Sequence, residues 1–323
     1  MTDVSEPAIS VVMATHNRAD LLPRVVEGLA AQDGVPFEVV VVDDASTDDT
    51  WQALEGLAAA APFPLRPIRL TRNVGAATAR NVGWKAATAP LIAFTDDDCV
   101  PAAGWLAALV RELSDHDLVQ GRTLPQPDQT ARFGPFARSI DVTGEYGYYE
   151  TCNMGYRRSA LVDAGGFDES FRYPYGEDCD LAWRVKDGGG SSTFATDALV
   201  YHEVWPSDYR SHLRDKKRRE GLVLALKKHP QLRAQRGVFQ NGAHSAALVA
   251  TASGVFLLVE RGPAGLGVAL TGGLTYAWFC RRYHHGPARK IQWFGILPLH
   301  FVADLCEVAV LARASARYRA LVL

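Results

Sequence analysis

The chain has 323 residues, 48% of them hydrophobic, and a formal net charge of −2, so it carries enough apolar material to bury a sizeable core. The near-neutral total hides a split: residues 1–212 hold 17 Lys+Arg against 31 Asp+Glu, whereas residues 213–323 hold 17 against 5. So acidic an N-terminal part argues against a nucleic-acid partner, and five dispersed cysteines without a CxxC pair argue against a disulfide framework or a zinc site and for reduced thiols in a cytosol.

Residues 1–7 have neither a basic stretch nor an apolar core, and no cleaved signal peptide is expected. An apolar, β-branched run at 8–14 reads as a first strand, followed by the turn Thr15, His16, Asn17, Arg18 and a helix from near Asp20 to Gln32. A second buried strand at 37–42 ends in Asp43 and Asp44, and Thr47 or Asp48 caps a helix reaching Ala60. A weaker strand at 66–70 is followed by Asn73, Val74 and Gly75, which open a helix carrying Arg80 and Asn81. A fourth strand at 91–95 runs out into Asp96, Asp97 and Asp98. Strands and helices alternating at this spacing mean βαβ units around a parallel sheet.

Beyond the three acids the pattern predicts a helix at 104–113, a strand at 117–121, and a long irregular loop at 122–149 rich in Pro, Gly and Tyr. Then come a strand at 151–156, a helix at 158–164 stopped by Gly165 and Gly166, and a helix starting at Glu177 and Asp178. A last strand at 198–201 delivers His202.

Ligands bind in the crevice outside the carboxyl ends of the strands of an open α/β sheet, which is where the acids gather. Asp96 and Asp98, alternate residues, suit a hard divalent cation, Mn²⁺ or Mg²⁺, held jointly with a substrate diphosphate; the alternative is an acidic turn capping the next helix. Asp44 suits the imide N–H of a uracil or the amine of another base, or else a helix cap. Asp178 lies where a helix dipole favours its ionised form at neutral pH, able to take a proton from a hydroxyl, although first-turn acids also serve stability alone. His202 is a further metal ligand or a satisfied core histidine.

Six segments carry a resemblance: Ser10-Val-Val-Met-Ala-Thr-His-Asn-Arg18, Val41-Val-Asp-Asp-Ala-Ser-Thr-Asp-Asp-Thr50, Asn73-Val-Gly-Ala-Ala-Thr-Ala-Arg-Asn81, Phe94-Thr-Asp-Asp-Asp98, Gly165-Gly-Phe-Asp-Glu169 and Gly176-Glu-Asp-Cys-Asp-Leu181. In this order and spacing the chain resembles glycosyltransferase family 2, the inverting group with the A-type nucleotide-sugar fold, a Rossmann-like α/β domain with a mixed, mostly parallel sheet. The resemblance implies that Asp44 binds the base and that Ala14, Thr15, Asn17 and Arg18 line the nucleoside. It puts Asn73, Gly75 and Arg80 near the nucleotide and diphosphate, with Asp96 and Asp97 on the nucleotide sugar. Asp98 becomes the direct metal ligand, with Asp96 nearer the ribose or a metal-bound water and His202 an additional ligand in some relatives. Asp178 becomes the catalytic base beside Glu177. Asn153 and the aromatic run 146–149 are candidates for the acceptor side. A Gln-x-x-Arg-Trp motif of processive synthases is absent, so single-sugar addition is expected.

Two rivals remain on sequence grounds: a haloacid-dehalogenase-like phosphatase, because Asp96 to Val100 fits its signature, and a non-catalytic sugar-binding or scaffold protein. The division of the chain is expected as a catalytic domain at 1–212, a basic helical linker at 213–236 and an apolar helical region at 237–323. The runs 237–259 and 262–280 carry no formal charge and approach the roughly 20 residues that span a bilayer, with basic residues on both flanks, while 291–323 reads as interfacial helices. The expected partners are therefore a nucleotide sugar, with a UDP-sugar favoured, a lipid-linked or saccharide acceptor, and the cytoplasmic face of the cell membrane. A soluble appendage or a homo-oligomer interface in the cytoplasm is the alternative.

Overall fold

The computed structural model describes residues 6–171, 173–232, 242–280 and 292–322. They form two compact units, Met1–Pro127 with Ser139–Glu203, and Asp128–Arg138 with Val204–Leu323. The first unit thus ends at Glu203 rather than at 212, and part of the expected long loop belongs to the second unit.

The first unit begins as β1 (Ile9–Thr15), α1 (Leu22–Ala30), β2 (Phe37–Asp43), α2 (Thr50–Ala60), β3 (Leu65–Arg69), α3 (Ala76–Ala86) and β4 (Leu91–Thr95), with β1 parallel to β2 and β4, and β2 parallel to β3. Period-two alternation divides each strand between two cores. Ile9, Val11, Met13, Val39 and Val41 pack on one face with α1, α2 and Trp105, while Val12, Val40, Val42, Ile92 and Phe94 pack on the other with Trp84 and Leu181. Both faces are covered, which is why these strands read as continuous apolar runs.

Past β4 the chain forms β5 (Cys99–Pro101), α4 (Trp105–Leu113), β6 (Leu118–Pro125), β7 (Asn153–Arg157), α5 (Arg158–Ala164), α6 (Glu177–Asp187) and β8 (Ser192–His202). Among the described residues the sheet has eight strands in the order β3-β2-β1-β4-β7-β6-β8-β5, and β7 runs antiparallel to β4. The sheet is mixed and mostly parallel on its first half. Three-residue β5 has no sequence signature; it lies antiparallel to β8 with Cys99 opposite His202.

The β6–β8 ladder shifts register between Gly121 and Arg122. The carbonyls released there are satisfied by one side chain: the Asn153 amide donates to the Arg122 and Ala198 carbonyls, each at 2.8 Å, and its oxygen accepts from Trp105 Nε1 at 2.8 Å. Asn153→Ala leaves three buried polar groups unpaired at about 1–3 kcal/mol each. A loss of about 3 kcal/mol is expected, read in a thermal melt as a fall of roughly 6–12 °C.

The second unit contains α7 (Tyr209–Asp215), α8 (Glu220–Lys228), α9 (Gly242–Arg261), α10 (Leu266–Cys280) and α11 (Gln292–Tyr318). Helices α9 and α10 form a hairpin whose backbones meet: a Cβ on Gly254 would stand 2.2 Å from Ala269 N, and one on Gly272 2.6 Å from Thr251 N. Among the described residues one helical segment, Gly295–Tyr318, is long and apolar enough to cross a membrane, and α10 is a shorter apolar helix. Length and composition thus admit a span here, where the sequence pattern reads as interfacial helices. Gly, Ala, Ser and Thr dilute α9, and the turn at Gly262–Gly265 leaves α10 only 15 residues. Residues 237–241 of the first run, 281–290 that follow the second and 291 of the last stretch lie outside the described residues, as do 233–236 of the expected linker.

Candidate active site

At the carboxyl ends of β1 and β2 two non-glycine residues adopt the left-handed conformation, Asn17 at φ 56° and Ala45 at φ 57°. Such backbone is costly and persists where its surroundings over-determine it. Here Asn17 N–H donates to Ser46 Oγ at 2.9 Å, its side-chain oxygen accepts the Thr47 N–H at 2.8 Å, and Arg18 N–H donates to Thr50 Oγ1 at 2.8 Å. The two turns are thereby tied into one wall of the crevice, with Ala14 and Thr15 in the strand behind it.

Asp44 lies at the base of this wall, and its two carboxylate oxygens accept the Val74 and Gly75 N–H groups at 2.7 and 2.8 Å. Asn73 Nδ2 donates to the Asp44 carbonyl at 3.3 Å. Asp44 therefore anchors the turn before α3, a role its sequence position does not reveal, and each oxygen keeps further lone-pair capacity.

The three acids at the end of β4 point to three different partners. Asp98 Oδ1 stands 3.7 Å from His202 Nε2, brought there by the β5–β8 pairing. His202 Nδ1 lies 2.7 Å from the Glu203 carbonyl, to which its N–H donates, so Nε2 is the nitrogen turned towards Asp98. A carboxylate oxygen beside an imidazole nitrogen is a donor set that a divalent cation could use. Cys99 falls within the same cluster of ligand atoms. Burial pushes its thiol well above the usual range, which together with the preference of hard cations for oxygen leaves it out of the donor set. Asp97 faces Arg18 at 3.8 Å; burial and the neighbouring Asp98 charge push its carboxyl up to about 7.

Asp96 is outside that cluster. Its Oδ1 accepts from Arg80 Nη2 at 2.7 Å, and Arg80 Nη1 reaches Glu177 Oε1 at 3.2 Å. Burial works against the guanidinium charge, yet the two carboxylates hold Arg80 above its ordinary value. Arg80 and Glu177 are 97 positions apart, and neither side chain's pattern announces the pairing.

Glycine is required at Gly176, whose φ of 97° turns the chain into α6. In the first turn Glu177 points inward, 3% exposed, whereas Asp178 is half-buried. Asp178 Oδ1 accepts the Cys179 N–H at 2.8 Å. Burial nonetheless raises the Asp178 carboxyl above its ordinary value, against the expectation from the helix dipole alone, because desolvation exceeds what the Cys179 N–H and Arg80 return. Burial and the Asp178 charge raise the Glu177 carboxyl, against the pull of the Arg80 guanidinium. The loop before α6 is clasped by Asn81, which exchanges hydrogen bonds with the Phe167 backbone N–H and carbonyl at 2.9 Å each and donates to Glu169 at 2.8 Å.

Two acceptor-side expectations change. Asn153 is 1% exposed with both amide protons committed to β6 and β8, so it braces the sheet and has no group to offer an acceptor. Tyr149 is likewise core, its hydroxyl bonded to Glu145 and Lys186, whereas Tyr146 is 52% exposed.

The fold belongs to a known class. The mannosyltransferase PcManGT from Pyrobaculum calidifontis, in complex with GDP-Man and Mn²⁺, matches 97% of this chain and 87% of its own with TM-score 0.59 at 21% identity. S. aureus TarS 1-349 in complex with UDP-GlcNAc matches 96% and 91% with TM-score 0.52 at 19% identity. At these identities the likeness establishes the A-type glycosyltransferase fold and nothing finer. The family model "Glycosyl transferase family 2" matches residues 10–167 and "Glycosyl transferase family group 2" matches residues 91–303. The chain belongs to glycosyltransferase family 2. The pre-mycofactocin glycosyltransferase of Mycobacterium tuberculosis is 30% identical over 231 residues, 64% of this chain and 44% of that protein. Glycosyltransferase AglE of Haloferax volcanii is 28% identical over 210 residues, 62% and 68% of the two. The chain thus spans less than half the length of the mycobacterial relative. The phosphatase and scaffold alternatives gain no support: the acids stand on the fourth strand of an A-type sheet, among transferases.

Proposed function

We propose that the protein transfers one sugar, with inversion, from a nucleoside diphosphate sugar to an acceptor hydroxyl. The observation that supports this is a chain of contacts: Asp96, two residues before the Asp98–His202 pair, is joined through Arg80 to Glu177, the neighbour of the half-buried Asp178. Asp98 and His202 would hold a divalent cation, which when bound neutralises the charge on the departing diphosphate. Asp178 removes the acceptor proton as the hydroxyl attacks, and its position at the first turn of α6 orients it. Asp44 meets the base, with a uracil imide N–H suited to its remaining lone pairs, and the Asn17 and Arg18 wall excludes water from the nucleoside. A panel of nucleotide sugars with Mn²⁺ and with Mg²⁺, scored by nucleoside diphosphate release, tests this. UDP-sugars should be cleaved and chelator should stop cleavage; no release from any donor would overturn the proposal.

The acceptor we propose is lipid-linked or made at a membrane, with the second unit resting on the cytoplasmic face. Helix α11 has two unlike sides. Lys216 Nζ bridges Asp304 and Glu307 at 3.0 and 2.6 Å, Arg219 lies 3.4 Å from Glu307, and Tyr276 donates to Asp304 at 2.8 Å. Leu299, Val302 and Leu305 are exposed on the same helix. A charged seam covered by basic residues together with an exposed apolar side suits a helix lying in the interface. The full chain should sediment with membranes and resist a high-salt wash. A monodisperse cytosolic species purified without detergent would exclude the attachment and leave a self-association surface.

A further inference from the structure

We infer that Asp96, the first of the three acids, acts on the catalytic helix rather than on the metal: through Arg80 it holds Glu177 and so positions Asp178. The inference rests on the transferase proposal above and concerns which residues make its base effective.

Arg80 is 7% exposed and spends its two terminal nitrogens on two carboxylates, Asp96 at the end of β4 and Glu177 at the start of α6. Its guanidinium also lies over the Phe167 ring, 5.7 Å from the centroid, in the loop that leads into α6. One side chain from α3 thus fastens the strand carrying the acids to the helix carrying the base. A planar guanidinium with both ends bound fixes direction as well as distance, which a lysine cannot do. A diphosphate on Arg80 would compete with the two carboxylates for the guanidinium, and losing the Glu177 contact would leave a buried carboxylate uncompensated. Turning Asp96 to a metal would equally strip Arg80 of its shorter contact. Meanwhile Asp98 and His202 already face each other without Asp96.

The test uses the purified full chain, one cleaved donor and Mn²⁺, comparing Asp96→Asn, Arg80→Lys, Glu177→Gln and the Asp96→Asn/Arg80→Lys double variant with Asp98→Asn as the metal reference. Asp96→Asn, Arg80→Lys and Glu177→Gln should each lower kcat about 10- to 100-fold, the usual cost of a base displaced by about 1 Å, with donor KM and half-activating Mn²⁺ unchanged. The double variant should be no slower than either single, because one device is lost once. Asp98→Asn alone should raise the Mn²⁺ requirement. The inference is overturned if Asp96→Asn shifts the Mn²⁺ requirement as Asp98→Asn does, if the losses multiply, or if Arg80→Lys raises donor KM with kcat intact. Should Asp96→Asn melt below the assay temperature, Glu177→Gln and Arg80→Lys, alone and together, decide the same question from the other end of the clamp. A wild-type chain that cleaves no donor refutes the transferase proposal instead, so the two failures are distinct.

Discussion

Asp98→Ala is expected to abolish sugar transfer and to weaken nucleotide-sugar binding sharply while the fold survives. His202 Nε2 would be left as a lone neutral donor where Asp98 now stands 3.7 Å away, and one imidazole does not retain a hard divalent cation. The stabilisation lost at the diphosphate is worth several kcal/mol, or about 10³-fold or more in rate. Nucleoside diphosphate release across a Mn²⁺ titration, with circular dichroism as the check on folding, measures it. Near-normal turnover by chelator-treated Asp98→Ala would remove the metal assignment.

Asp178→Asn should cost on the order of 10²–10⁴-fold in kcat with donor KM little changed, because it deletes the proton acceptor and keeps the shape. The pH profile supplies a second signature. Burial raises the Asp178 carboxyl, and a base works only when deprotonated, so the rate should fall on the acid side at a pH above the ordinary carboxylate range. That limb should vanish in the Asn variant, and Glu177→Gln should be the milder of the two. A loss of donor affinity at unchanged turnover would move Asp178 from chemistry to binding.

Most of the first unit was legible in the sequence because its first four strands are buried on both faces and so are written as apolar runs, each ending in the polar residues that line the crevice. The acids and His202 could be picked out for the same reason: they stand where strands stop. What could not be read depends on pairings between distant segments. Cys99–Pro101 is too short to show a pattern, and only its ladder with β8 brings His202 to Asp98. The pairing of Arg80 with Asp96 and Glu177 likewise joins segments far apart in the chain, and nothing in the pattern of α3 announces it. Asn153 looked available because a polar residue in a strand invites a ligand; the register shift beside it, invisible in composition, consumes its amide. In the second unit, hydropathy averaged over runs does not show where the helices turn, as at Gly262–Gly265.

The place where the first unit ends has a practical consequence. Its last residue, Glu203, gives its N–H to the Asp98 carbonyl at 2.8 Å and its side chain to Arg24 at 3.5 Å, directly after His202. The covalent exit from the first unit therefore lies directly beside the Asp98–His202 pair proposed to hold the cation. Nor can the second unit be removed by one cut, because residues 128–138 return to it from within the first: Arg138 forms a backbone bridge with Trp205 and an ion pair with Asp215 at 2.8 Å. A truncation or a fusion junction placed at 203 would disturb the contacts that Glu203 makes with Asp98 and Arg24. Loss of activity after such an operation would say nothing about whether the C-terminal helices take part in the chemistry.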